Sequence, residues 1–347
     1  MAVSTSRWHV PRTRDGIRVL FGAVVVLSAL ALAGNAAAAT KTSGGGAHRS
    51  AAKLFQIREV QNVTTGLFAA ANYAQTLGLF KAHGLDVQQI VTPGLIPTLL
   101  ASGQADIAIA GNPATYAAIV KGLPAKLIAV PSNGYGFIFA VNAHSNITSF
   151  EDLRGKTIGI TSVGSASDYV TQQLSAKLGG SLKLAPVGNL PALAAALSNG
   201  SIDGFMFEPS GIIPLQESGA VRILGSVEKY LGGGTGAGVG IVATKDLIQK
   251  HPKAVRDYLK SYFLAQRKLL DNSAKALLYL QQLLNVSVHT AGSSYSVYRT
   301  LWTREGVPGP GALAGTSKAI SFIDKTITSP PPPSAYYDKR FVPARGK

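Results

Sequence analysis

No cysteine occurs anywhere in the 347 residues. The chain therefore has no disulfide framework to brace it outside the cytosol, and no sulfur at an export boundary to carry a lipid. Its stability must come from a buried core, which a chain of this length can supply as one large domain or two. Charge is scarce at 14%, and negative charge scarcer still, with 17 Asp and Glu against 33 Lys and Arg. Catalytic patterns are missing too. There is no nucleophile elbow and no Walker-type phosphate loop, and His83, His144, His251 and His289 are scattered without metal-ligand spacing. An enzyme would need a nucleophile with its base, paired carboxylates or metal ligands, so the expectation is a non-enzyme with no catalytic residue, no metal and no cofactor. Long apolar runs are confined to one, over 19–32, and nothing later approaches the length that spans a bilayer.

That one run sits in a telling order. Arg7, Arg12, Arg14 and Arg18 precede it, and Ala33-Gly34-Asn35-Ala36-Ala37-Ala38-Ala39 follow. Basic, apolar and small-residue regions in succession make a secretory signal peptide, and about fourteen apolar positions are few for a transmembrane helix. An uncleaved N-terminal anchor is the alternative. Cleavage near Ala39 or Thr40 predicts a soluble periplasmic monomer that is not a lipoprotein, with 40–53 as a flexible linker. The net charge of +16 invites a nucleic-acid reading, but its distribution argues against one. Residues 40–143 carry +4, residues 144–238 carry −1 and residues 239–347 carry +10. The excess runs along C-terminal helices as Lys245, Lys250, Lys253, Arg256, Lys260, Arg267, Lys268 and Lys275, with little aromatic interleaving of the kind that stacks bases. A solvated helix face, attracted to an acidic partner or anionic lipid, fits better, and no nucleic-acid partner is expected.

From residue 54 onward, short apolar runs alternate with helical patterns. Strands are expected over 54–60, 86–91, 107–110 and 127–130, with helices over 67–78, 96–101 and 115–121. This alternation predicts a parallel, doubly wound sheet. Ligands in open α/β sheets bind outside the carboxyl ends of strands, so the turns at 62–66, 92–94 and 111–113 should gather on one edge. Ordinary turn chemistry explains any one of them, while their repetition favours a site. The run Tyr135-Gly136-Phe137-Ile138-Phe139-Ala140-Val141 predicts a longer strand. Then Thr157-Ile158-Gly159-Ile160, a turn of small residues and Ser165-Ala166-Ser167-Asp168-Tyr169 open a second alternating unit. Such a turn presents backbone N–H groups at a helix N-terminus, where an acceptor or anion is favoured. Ser165 or Ser167 either caps that helix or faces a ligand. Glu208 ends the apolar run Phe205-Met206-Phe207 and precedes Pro209. A carboxylate there meets a ligand N–H, an ammonium or a protein cation, or else holds a neighbouring loop amide. Glycines at 232–234 and 236 precede an apolar strand over 239–243 that reads as a return crossing, and two crossings make a hinge. The expected organisation is a first lobe over 54–143, a second over 144–238, and a return to the first lobe over 239–328. A polyproline-like tail over 329–347 lies beyond the folded part.

Four segments carry a resemblance. They are Gly78-Leu79-Phe80-Lys81-Ala82-His83-Gly84-Leu85-Asp86-Val87, Leu100-Ala101-Ser102-Gly103-Gln104-Ala105-Asp106-Ile107-Ala108, Asp152-Leu153-Arg154-Gly155-Lys156-Thr157-Ile158-Gly159 and Gly200-Ser201-Ile202-Asp203-Gly204-Phe205-Met206-Phe207-Glu208-Pro209. In this order, from about 55 to 325, the chain resembles the periplasmic substrate-binding proteins of nitrate/sulfonate/taurine ABC importers, a family that includes binders of thiamine pyrimidine precursors. The resemblance implies an α/β, type II periplasmic-binding-protein-like fold with a ligand cleft between two doubly wound lobes. It also implies a small organic solute, sulfonate/taurine-like or heteroaromatic, and an ABC permease partner in the inner membrane. The implied cleft residues are Asn62, Thr64, Gly66, Pro93, Gly94, Asn112, Gly164, Ser165, Ser167 and Glu208, with Tyr135 counted among them. Leu95, Ile96 and Pro97 depart from the small residues usual after Gly94, which weakens the case for a strongly anionic ligand. A yeast-type relative consumes its own histidine with iron and cysteines, and this chain has no cysteine for that chemistry. A periplasmic sensor presenting its solute to a receptor, and an enzyme on the same fold, are the alternatives.

Overall fold

A computed structural model describes residues 53–61, 63–92 and 95–342, all within the unit Ala51–Lys347. The expected signal peptide, most of the linker, and Asn62, Pro93 and Gly94 lie outside the described residues. Strands β1 (Phe55–Gln61), β2 (Leu85–Val91), β3 (Ile107–Ala110) and β4 (Ala125–Asn133) come first. Then follow β5 (Ile138–Asn142), β6 (Thr157–Ile160), β7 (Lys183–Pro186), β8 (Gly204–Phe207) and β9 (Val221–Ser226), before β10 (Ala237–Thr244) returns. Among the described residues they make two five-stranded sheets, ordered β2-β1-β3-β10-β4 and β7-β6-β8-β5-β9.

Neither sheet is wholly parallel, contrary to what the alternation predicts. β10 is antiparallel to β3 and β4, and β5 is antiparallel to β8 and β9, while β1, β2 and β3 pair in parallel, as do β6, β7 and β8. A strand arriving from the other sheet enters at the carboxyl-end edge facing the gap and must run back against the parallel strands, with no crossover helix needed. The change of sheet falls between Asn133 and Ile138. The apolar run ending at Val141 therefore pairs within the second sheet, not within the first lobe, to which the sequence assigns it. Gly134 at φ +103° and Gly136 at φ +69° interrupt the extended chain at this point.

Helices α1 (Ala69–Thr76), α2 (Leu79–Ala82), α3 (Ile96–Ala101) and α4 (Pro113–Val120) connect the first strands. α5 (Ala166–Lys177), α6 (Leu190–Ser198), α7 (Pro209–Glu217) and α8 (Val227–Leu231) belong with the second sheet, and α9 (Lys245–Lys250), α10 (Pro252–Asp271), α11 (Ser273–Leu284), α12 (Val288–Leu301) and α13 (Ala312–Ile323) complete the chain. The central strands of the first sheet, β3 and β10, are buried on both faces. Ile57, Ile107 and Ile241 pack against Tyr258, Tyr262 and Leu269 of α10, while Val60, Ala108 and Val242 pack on the other face with Tyr116 and Ile320. Glu59, fully buried on the α10 face, accepts the Tyr258 hydroxyl at 2.6 Å and the amides of Gln61 at 2.6 Å and Gln89 at 3.1 Å. α12 touches both sheets' helices: Glu217 of α7 accepts from Ser287, His289 and Thr290, and Tyr298 reaches Ser210 at 3.3 Å.

The tail is not outside the fold. Leu127 N–H donates to Tyr336 O at 2.9 Å, Asp338 N–H donates to Leu127 O at 2.8 Å, and Tyr336 is completely buried. β4 is an edge strand whose free backbone groups need partners, and the tail supplies them. The Tyr336 hydroxyl donates to Leu313 O at 2.8 Å and lies 3.0 Å from Ser317 Oγ. Tyr336→Phe, which leaves the Leu313 carbonyl without that donor, is expected to cost about 1–2 kcal/mol in a urea titration. An unchanged midpoint would show that the tail does not contribute.

Candidate functional site

Seven stretches of chain meet between the two sheets around a cavity of about 570 Å³. Five of them leave the carboxyl ends of parallel strands: Val63, Leu67 and Phe68 after β1, Gly111 and Asn112 after β3, Thr161 to Ser167 after β6, Gly188 to Leu190 after β7, and Met206 to Glu208 at β8. The crossings supply the remaining two, with Tyr135 and Phe137 on the way out and Gly238 on the way back. This is where open α/β sheets place their ligands.

Four helices begin at this cavity. Asn112 caps α4 by accepting Ala114 N–H at 2.9 Å, Ser165 caps α5 by accepting Asp168 N–H at 3.2 Å, and Asn189 caps α6 by accepting Ala192 N–H at 3.2 Å. Glu208 occupies the same position before α7, but its side chain makes no cap hydrogen bond. It is the one charged side chain among the described residues that line the cavity. Its Oε2 is buried without a hydrogen-bond partner among the described residues. Burial raises its pKa from an ordinary 4.5 to about 7, against the hydroxyls of Thr65 and Tyr298, which favour the carboxylate. Aromatic rings make much of the rest: Phe68, Phe207, and a stacked pair, Tyr135 and Phe137, with centroids 5.7 Å apart.

Of the residues expected from sequence, Asn112, Tyr135, Ser165, Ser167 and Glu208 line the cavity, while Thr64, Gly66 and Gly164 do not. Gly66 has a different role. A Cβ there would stand 2.0 Å from the Tyr298 ring, so the turn is glycine because α12 packs beneath it. Gly164, at φ +79°, donates its N–H to Asp168 at 2.8 Å inside the turn. Ser167 is buried, with its Oγ accepting Thr161 N–H at 3.0 Å and lying 2.9 Å from Ser165 Oγ, so these hydroxyls shape the turn as well as facing the cavity. Thr161, Asn189 and the aromatic wall of Phe68 and Phe137 were not expected. Gly188-Asn189 before Leu190-Pro191 was the available signal for the third cap.

The family model described as NMT1/THI5 like matches residues 65–273, more than half of the chain. The chain belongs to the NMT1/THI5-like family. A thiamine biosynthesis protein of Haemophilus influenzae is 32% identical over 142 residues, 39% of this chain and 44% of that protein, so the match spans less than half the length of this curated relative. Among solved structures, the periplasmic sulfonate-binding protein SsuA of Methylobacillus flagellatus is similar at a TM-score of 0.68 and 18% identity, covering 83% of this chain and 93% of that one. The desulfurization enzyme DSZB is similar at 0.56 and 16%, covering 83% and 97%. At these identities the likeness is one of fold, the periplasmic binding protein fold, which further solved sulfonate-binding proteins share. Among the described residues of this family member, no helix is long and apolar enough to cross a membrane.

Proposed function

We propose that this protein is the extracytoplasmic solute-binding component of an ABC importer. It captures a small organic solute in the inter-sheet cavity and delivers it to a membrane permease from the periplasm. One observation carries the choice of solute. Among the described residues the cavity is lined with aromatic rings and capped-helix turns, and the one charged group in that lining is a carboxylate with an unpartnered buried oxygen. Such an oxygen favours a ligand N–H or ammonium, and flat rings favour a heteroaromatic body. The four helix N-termini at the cavity would also attract an anion, but a sulfonate would meet Glu208 with no Lys, Arg or His in the lining described to offset it. An aminopyrimidine-like solute therefore fits better than a sulfonate. The lining serines have no histidine beside them, which favours capture over hydrolysis.

Scanning fluorimetry against aminopyrimidines, taurine, alkanesulfonates and nitrate tests this reading. An amino-substituted heterocycle is expected to raise the melting temperature with concentration, by about 2.7 kcal/mol of added stability at a hundredfold excess over Kd. Stabilisation by a sulfonate alone would overturn the choice of solute.

A further inference from the structure

Both crossings between the sheets close on one carboxylate, outside the cavity's own chemistry. Glu228, in α8, accepts the Thr235 backbone N–H at 3.4 Å and the Thr235 hydroxyl. The same carboxylate lies against Gly134, the residue before Tyr135 on the outgoing crossing. Thr235 belongs to the returning crossing and is completely buried, whereas Tyr135 belongs to the outgoing one and is 4% exposed. Gly134 makes the room. At φ +103°, a Cβ on it would stand 2.5 Å from both Cδ and Oε1 of Glu228, so only a residue without a side chain admits the carboxylate here.

The setting is costly unless it does something. Burial pushes the Glu228 carboxyl up, opposed by its hydrogen bonds from Thr235, and the ionisable groups facing it are the phenols of Tyr135 and Tyr169. Among the described residues no Lys, Arg or His forms an ion pair with it. What the half-buried position supplies is simultaneous contact with both connecting segments, each of which continues into the cavity wall: Tyr135 and Phe137 on one side, Gly238 on the other.

We propose that Glu228 is a positioning residue: by bonding Thr235 while packed against Gly134 it fixes the two crossings relative to each other, and so sets how far the lobes open. The inference gives the capture reading a hinge pin, yet its test needs no solute, so the two can fail separately. Because the chain has no cysteine, Val91→Cys and Val163→Cys, at residues 51% and 78% exposed in the first and second sheets' regions, give a unique pair of spin-label sites. Pulsed dipolar spectroscopy on the unliganded full chain reads the distance between lobes. In Glu228→Gln the amide replaces an acceptor with a donor. The mean distance is then expected to move by more than about 2 Å, or the distribution to widen about twofold, the scale of hinge rearrangement. Thr235→Val, which keeps the backbone N–H and loses the hydroxyl, should change it less but in the same direction, and Thr235→Ser should restore the parent distribution. Superimposable distributions for parent and Glu228→Gln would overturn the proposal. So would equal shifts in Thr235→Val and Thr235→Ser, which mark lost packing alone. If Glu228→Gln does not fold, the threonine pair decides.

Discussion

Gly238→Ala is expected to destabilise the protein by roughly 3 kcal/mol or more, a drop of roughly 6–12 °C in melting temperature. A Cβ on Gly238 would lie 1.6 Å from Gly134 O and 2.1 Å from Gly134 C, while a Cβ on Gly111 would lie 2.4 Å from Gly238 O. Three backbone segments thus touch with no side chain between them: the β3–α4 turn and the two crossings. Because every contacting atom is main chain, no rotamer change relieves the clash, and the crossing itself would have to move. Gly232→Ala is the control. It lies shortly before the return strand, at φ +86°, and nothing stands within 4 Å of its Cβ position, so only the left-handed backbone cost of about 1–2 kcal/mol applies. Calorimetric scans that place the two variants within a degree of each other would show that the crossing tolerates separation.

The second large effect concerns Glu208 and has a defined sign with pH. Its folded-state pKa, about 7, lies above its ordinary 4.5. The unliganded folded protein therefore holds a proton that the unfolded chain releases, and stability falls as pH rises from about 4.5 to about 7 before levelling. Glu208→Gln removes this dependence. At pH 8 the variant should melt above the parent by roughly 1–3 kcal/mol of stability, a modest figure because the group borders an open cavity, and the gap should close toward pH 5. Binding should move the opposite way. The carboxylate is the form that receives an N–H or ammonium, so affinity for such a solute rises through pH 7 in the parent, and Glu208→Gln weakens it by about 1.5–3 kcal/mol. A stability gap that ignores pH, together with equal affinities by titration calorimetry, would remove Glu208 from the site.

Turn chemistry made part of this site legible in the sequence. Asn112 before Pro113, Ser165 before a helix and Glu208 before Pro209 all announce a strand ending and a helix beginning, and in an α/β fold those junctions share an edge. The walls between them were not legible. Phe68 and Phe137 have the composition of core residues, and periodicity does not say whether a buried ring faces protein or an empty space. Strand direction was hidden for a similar reason: the run through Val141 reads as a strand whichever sheet it joins, and only Gly134 and Gly136 mark where the chain turns away. The proline run suggested an extended tail, and the pair Tyr336-Tyr337, three residues beyond it, was too short a signal to reveal an edge strand waiting for a partner.

The order of strands in the first sheet has a consequence for how the molecule comes into being. β3 and β4 do not touch; β10 lies between them, contributed by residues made only after the whole second sheet has been specified. The second sheet draws all its strands from 138–226 and can close on itself, whereas the first remains two fragments with open edges until residues 237–244 emerge, and β4 stays bare until Tyr336 arrives. The lobe that begins the chain is thus the last to be finished. Its slow, long-range pairing leaves a period in which the edges of the first sheet stand open while the second sheet is already complete.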